Sequence, residues 1–131
     1  MAQNNQVSID YQVAEFEEIT YKNEQFDAIA LIYAHFSGDT KSKYHQKLIT
    51  YLKKGGLVIF EAFSKSHLKY NTENPAVGGP KDLGMLFSID EIKSDFSNFE
   101  ILILEEKEVE LNEGSFHKGT GSVIRFVGRK R

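Results

Sequence analysis

The chain has 131 residues, 40% of them apolar and 27% charged, which suits one domain able to bury a core. Its net charge of -3, with 16 basic against 19 acidic residues, argues against nonspecific nucleic-acid binding, which needs a concentrated basic surface. The lack of cysteine excludes disulfides, thiolate zinc sites and cysteine nucleophiles, no apolar run reaches the ~18 residues of a membrane span, and residues 1–6 lack the regions of a signal peptide, so a cytoplasmic location is expected.

Val7 to Ala14 alternates apolar and polar residues and predicts an edge strand. Glu17 to Gln25 is polar and reads as a loop. Phe26 to Tyr33 is apolar without alternation, the mark of a parallel strand covered on both sides. A helix should follow, capped by Ser37 or Asp39, with Tyr44, Leu48, Tyr51 and Leu52 on its buried face and His45 on its polar side. Lys53-Lys54 suits the negative helix end and Gly55-Gly56 supplies a left-handed stop. Leu57 to Phe60 is then a second buried strand, completing a right-handed βαβ unit.

From Ser64 to Leu86 the pattern dissolves into a long connection of the kind that often forms lids or binding segments. Ser88 with Glu91 three residues on is a capping box, and Phe87 with Ile92 a hydrophobic staple, opening a short helix whose buried face is Ile89, Ile92 and Phe96. A long strand runs from Ile101 to Leu111, and Val123 to Val127 is the last strand. The roughly eleven residues between them cannot hold a helical crossover, so the two pair antiparallel. The stretch "HKGTGS" at residues 117–122 reads as a turn, since a phosphate-binding loop follows a first strand and opens a helix. The basic end from Arg125 to Arg131 reads as solvated.

In open α/β sheets ligands bind beyond the carboxyl ends of the strands. Three such ends carry Glu15 and Phe16; Tyr33, Ala34, His35 and Phe36; and Glu61, Ala62 and Phe63. A carboxylate with aromatic rings suits a nucleoside. Each residue also has a structural alternative: Tyr33 and Phe36 as core packing, His35 as a hydrogen-bonded buried histidine, Glu61 as a solvated strand end. His35, His67 and His117 lack the short spacings of a metal site, so no metal is expected. There is no G-x-S-x-G elbow for a serine triad.

The stretches "YQVAEFEE", "FDAIALIYAHF", "YLKKGGLVIFEAF", "GGPKDLGMLFSIDEI" and "SVIRFVGRKR", in that order, resemble the later part of a class I S-adenosylmethionine-dependent methyltransferase of the tellurite-resistance and thiopurine type. The resemblance implies a Rossmann-like α/β sheet, mostly parallel, with a C-terminal antiparallel hairpin and a strand order of 3-2-1-4-5-7-6. It implies S-adenosylmethionine as cofactor and a small-molecule methyl acceptor. Glu15 would sit near the adenine amino group, with Ala14 and Phe16 lining the adenine slot. Ile32 and Tyr33 would run beside the methionine part, Tyr33 suiting the cationic sulfonium. His35, Gly78, Gly79 and Pro80 would face the acceptor, joined by His117, which makes His35 and Tyr33 the candidate catalytic pair.

The sequence departs from the family in holding no glycine-rich loop and no acidic residue for the ribose, so residues 1–131 read as one partial domain with its N-terminal strands missing. Losing about four hydrogen bonds at ~1 kcal/mol each lowers cofactor affinity roughly a thousandfold, and the chain alone is expected not to turn over. The strand at 26–33 is left with a bare edge, predicting either a homodimer through it or the Val7–Phe16 strand folded onto it. The alternative reading is a non-enzymatic dimerising α/β module or small-molecule binder that has lost the cofactor. No nucleic-acid or membrane partner is expected.

Overall fold

The apolar run at 26–32 and the one at 57–63 lie side by side as parallel strands. The computed structural model describes residues 7–113 and 116–131, with only the backbone described at 113 and 116–118. The elements are β1 (Phe26–Ile32), α1 (Lys41–Thr50), β2 (Leu52–Phe63), α2 (His67–Glu73), α3 (Ile89–Asp95), β3 (Phe99–Glu113) and β4 (Phe116–Lys130). They form one sheet of order β1-β2-β4-β3, in which β1 and β2 are parallel and β4 runs antiparallel to both its neighbours. The last strand thus inserts between the core and the outermost strand, as the order 4-5-7-6 of the resemblance implies. Among the described residues no helix is long and apolar enough to cross a membrane.

The helices cover one face. Val58, Phe60, Ala62, Ile124 and Phe126 point into it and meet Phe87, Ile92, Phe96 and Phe99 in the main core cluster. Each such large side chain removed from water contributes ~1.5–3 kcal/mol. The opposite face is open: Ile32, Ile59 and Ile103 remain 54%, 42% and 49% exposed.

Several expectations are corrected. Val7 to Ala14 is not a strand: it pairs with nothing described, and Val7, Ile9, Tyr11 and Val13 are all exposed. Alternation marks which side a strand would bury, but a strand needs a ladder partner, and β1's edge does not receive this segment. The helix stops before Leu52, which already belongs to β2. The register jumps from Phe26↔Leu52 to Ala28↔Leu57, so Lys53 to Gly56 bulge out instead of stopping a helix. Gly55 takes φ +82° there. A Cβ on Gly56 would lie 2.9 Å from the Asp27 carbonyl oxygen, so the bulge needs glycine for close approach as well.

His45 is fully buried, not on a polar side. The buried residues of α1 are Lys41 and His45 at i and i+4, with Leu48 partly buried at i+7, and Lys41 and His45 are satisfied by polar partners. The Lys41 ammonium donates to the Leu86 carbonyl at 2.8 Å and pairs with Glu91, and His45 Nδ1 pairs with Asp95 at 2.8 Å. The connection 64–86 holds α2 and two 3-10 turns, Pro75–Val77 and Leu83–Met85. Its periodicity was invisible because α2 buries two polar residues, His67 and Asn71. The stretch 117–122 lies within β4 and is not a turn. One half of the capping box forms, Ser88 Oγ accepting from the Glu91 N–H at 3.2 Å, and Ile92 and Phe87 are buried behind it. The Glu91 carboxylate pairs with Lys41 and Lys65.

Candidate functional site

β1 ends where its backbone turns left-handed: Tyr33 has φ +54°, a conformation costing a non-glycine residue ~1 kcal/mol or more. The turn is held by the Tyr33 N–H donating to the Glu61 carbonyl at 2.6 Å. It swings the phenol so that its OH donates to Glu61 Oε2 at 2.8 Å. The other carboxylate oxygen of Glu61 accepts from Arg125 Nε on β4. That hydrogen bond is the main reason the guanidinium holds its proton more tightly than usual. Glu61 is therefore a clamped carboxylate and not a solvated strand end.

Two residues on, His35 is held at both ring nitrogens. Phe63 N–H donates to Nε2 at 3.2 Å, which leaves the proton on Nδ1 to donate to the Met85 carbonyl at 2.8 Å. Burial, helped by the nearby His67 and Lys41 charges, outweighs the Met85 bond and pulls its pKa below the ordinary histidine value. The structural reading of His35 fits this geometry, because neither nitrogen is left for an acceptor.

Phe63 ties Tyr33, His35 and His67 together. Its ring centre lies 4.8 Å from that of Tyr33, 5.6 Å from His35 and 3.9 Å from His67. Gly79, at φ +83°, presses onto the same ring; a Cβ there would sit 2.8 Å from Phe63 Cδ2. The neighbouring carbonyls are pinned from α2: the Gly78 oxygen accepts from His67 Nε2 at 2.9 Å, and the Pro80 oxygen from Asn71 Nδ2 at 2.8 Å. The Gly78-Gly79-Pro80 loop thus lies near Tyr33 and His35 through Phe63. The side chain of His117 lies outside the described residues.

The remaining site residues form a second group. Phe16 opens a 3-10 turn, Phe16–Glu18, with Glu15 as its cap residue. The Phe16 ring packs 5.2 Å from Phe36 and 4.4 Å from Tyr44, and Lys47 Nζ lies 5.1 Å over it. Tyr44 donates to Glu17 at 2.9 Å, which is the first reason its hydroxyl is held above the usual tyrosine pKa. Together Glu15, Phe16, Glu17, Glu18, Phe36 and Tyr44 line an open groove of about 540 Å³. Among the described residues the Glu15 carboxylate has no partner, while Ala14 is exposed beside it.

Glu15 and Phe16 are thus brought to Phe36, but not to Ile32. Ile32 lies on the open sheet face, in a separate groove of about 390 Å³ shared with Ile59, Glu61, Ile103, Glu105 and Arg125. Two grooves form in place of one shared cleft. Sequence reasoning missed Tyr44 and Arg125, which arrive from a helix and from the last strand. Among the described residues no cluster of acidic and histidine side chains is placed to hold a metal ion.

A SAM-dependent methyltransferase from Methanosarcina mazei superposes with a TM-score of 0.68 at 16% identity, over 91% of this chain and 66% of that one. TehB from Haemophilus influenzae gives 0.69 at 12% identity, over 99% and 44%. The chain carries the class I methyltransferase fold. The N-methyltransferase NodS from Bradyrhizobium japonicum shares this fold at a TM-score of 0.62 and 11% identity, over 98% of this chain and 65% of its own. The methyltransferase-fold chain spans less than two thirds of each of these three proteins. A family model described as a methyltransferase domain matches residues 1–60. No match was found among curated proteins.

Proposed function

We propose that the groove of Glu15, Phe16, Phe36 and Tyr44 is the adenosine end of an S-adenosylmethionine site, and that the function served is methyl transfer to a small-molecule acceptor. The observation that carries this reading is a carboxylate with no partner among the described residues beside a cluster of aromatic rings, one of which, Phe36, follows the carboxyl end of β1. Glu15 can accept from the exocyclic amino group of adenine, and the rings of Phe16 and Phe36 offer apolar cover. S-adenosylmethionine, when bound, supplies a methyl group activated on a sulfonium. Tyr33, held by Glu61, presents an aromatic ring suited to a cation, and the Gly78-Gly79-Pro80 loop would meet the acceptor.

The described residues offer the adenine end few hydrogen bonds, so this chain on its own should bind the cofactor weakly, with a dissociation constant well above micromolar. Isothermal titration of the chain with S-adenosylhomocysteine tests this, with heteronuclear NMR to locate weak binding. The expected result is a dissociation constant near millimolar or weaker, with shifts at residues 15, 16, 36 and 44. No perturbation of these residues at high ligand concentration overturns the assignment of the groove, and micromolar affinity overturns the expectation of weakness. The separation of the Glu15 groove from the Ile32–Arg125 groove favours a second reading, a small-molecule-binding module without turnover. Methyl transfer by the chain to any acceptor would exclude it.

A further inference from the structure

The turn that carries Phe16 has few bonds of its own. Phe16–Glu18 is three residues long, and none of them is fully buried. Two internal bonds shape it: the Glu18 N–H donates to the Glu15 carbonyl at 2.9 Å, and the Ile19 N–H to the Phe16 carbonyl at 3.2 Å. These fix its form but not where it stands. Glu15, its cap residue, has no side-chain bond to the turn, so the carboxylate goes where the main chain takes it.

One side of α1 decides that place. Tyr44, Lys47 and Tyr51 are spaced by three and four residues and share a helix face. They reach three successive points: the Glu17 carboxylate at 2.9 Å, the Phe16 and Glu17 carbonyls at 3.0 and 3.3 Å, and the Ile19 carbonyl at 3.4 Å. Lys47 differs from the two tyrosines. Its ammonium bonds two adjacent main-chain carbonyls and stands 5.1 Å over the Phe16 ring. One side chain thus fixes both the backbone and the ring of the same residue. An ammonium carries three donors on a compact charge, and a bond from a charged donor is about twice as strong as a neutral one. Lys47 lies in the last turn of α1, where a lysine can serve its own helix's final carbonyls. Here Nζ goes to the neighbouring segment instead.

We infer that Lys47 is the positioning residue of the Glu15–Phe16 groove. It touches no ligand atom and acts through Phe16, setting that ring against Phe36 and carrying Glu15 with it. The inference rests on the reading of this groove as an adenosine site. The turn supplies no residue to either core cluster, so losing Lys47 should weaken ligand binding with little effect on folding stability.

Lys47→Met keeps an unbranched stem and loses every donor, while Lys47→Arg keeps a charged donor. Ser88→Ala, which removes a distant helix cap, controls for general destabilisation. Each variant is titrated with adenosine and followed by NMR at residues 15, 16, 36 and 44. Amide exchange of Glu18 and Ile19 is measured without ligand, and urea denaturation gives stability. Lys47→Met should exchange faster at both amides and show ligand-induced shifts roughly tenfold smaller than wild type at equal adenosine concentration. Its urea midpoint should stay near the wild-type value. Lys47→Arg should recover most of the shifts, and Ser88→Ala should keep them. Shifts in Lys47→Met equal to wild type overturn the inference. So does a loss that arginine does not restore, or one that Ser88→Ala reproduces. A wild type that adenosine does not shift overturns the groove reading, and exchange at Glu18 and Ile19 unchanged in Lys47→Met then overturns the role of Lys47 as well. Should Lys47→Met fail to fold, a wild-type Lys47 ammonium whose protons exchange as fast as those of the exposed Lys43 overturns the inference alone.

Discussion

The Tyr33 phenol donates to Glu61 Oε2 at 2.8 Å from a backbone held at φ +54°. Strain and hydrogen bond belong together: without the left-handed turn the ring could not reach a carboxylate on the next strand. Substitution at this site should invert the usual order of small residues. Elsewhere in a strand glycine is less stable than alanine, but here Tyr33→Gly should be more stable than Tyr33→Ala by ~1 kcal/mol, because only glycine is free of the left-handed penalty. Urea denaturation of the two variants gives the sign directly.

Asp95 links α3 to α1 by accepting from His45 Nδ1 at 2.8 Å and from Ser42 Oγ at 2.7 Å. Burial alone would raise its pKa, but the His45 and Ser42 hydrogen bonds and the neighbouring His45 and Lys41 charges outweigh burial, and the carboxyl ends below its ordinary value. A lowered folded-state pKa contributes stability that is complete above the unfolded value of about 3.9 and is lost as pH falls through the lower folded one. Asp95→Asn should cost ~1.5–3 kcal/mol near neutral pH, and the gap from wild type should narrow below about pH 4, as read by denaturation curves at successive pH values.

His35 works in the other pH window. Its pKa is lowered, first by burial, so protonation favours the unfolded chain. Stability is greatest above the unfolded histidine value of about 6.5 and falls as pH drops through it toward the folded value. His35→Gln should flatten part of the stability slope between about pH 7 and pH 5, and a slope identical to wild type would contradict the neutral, doubly bonded ring.

Ser88→Ala removes the side-chain cap of α3 and should destabilise the chain by ~1 kcal/mol in a chemical melt. The same change should leave ligand-induced NMR shifts at Phe16 and Phe36 in place, since it lies in neither groove.

Phe16→Ala should abolish adenosine-type binding, while Ile32→Ala, on the opposite groove, should leave it intact. Titration of both variants with S-adenosylhomocysteine, followed by NMR, separates the two grooves.

What was legible in the sequence was what local chemistry decides. Ser88 and Glu91 marked a helix start because a hydroxyl and three residues of spacing suffice for a cap. The unalternating run at 26–32 marked a parallel strand, and the short gap after Leu111 forced a hairpin. His45 was misread because the wheel of α1 was set by its aromatic and leucine residues; its burial depends on Asp95, fifty residues away. α2 escaped notice because His67 and Asn71 are buried by virtue of carbonyls on the Gly78–Pro80 loop, and no apolar stripe announces that. Val7 to Ala14 kept the alternation of a strand without the neighbour that would make it one. At the rim, Phe36 could be placed from the end of β1 alone, whereas Glu15 and Phe16 sit on a 3-10 turn because the strand expected before them does not form. Tyr44 and Arg125 could not be placed, since only the folded chain brings a helix and the last strand there.

The turn bearing Phe16 hangs from α1. Lys47 donates to the Phe16 and Glu17 carbonyls at 3.0 and 3.3 Å, and Tyr44 holds the Glu17 carboxylate. The same helix is bolted to α3 through Ser42, His45 and Gln46, all of which meet Asp95. A lever therefore runs from Asp95 to the mouth of the groove, and loosening its far end will be felt as altered ligand retention at a place the substitution never touches.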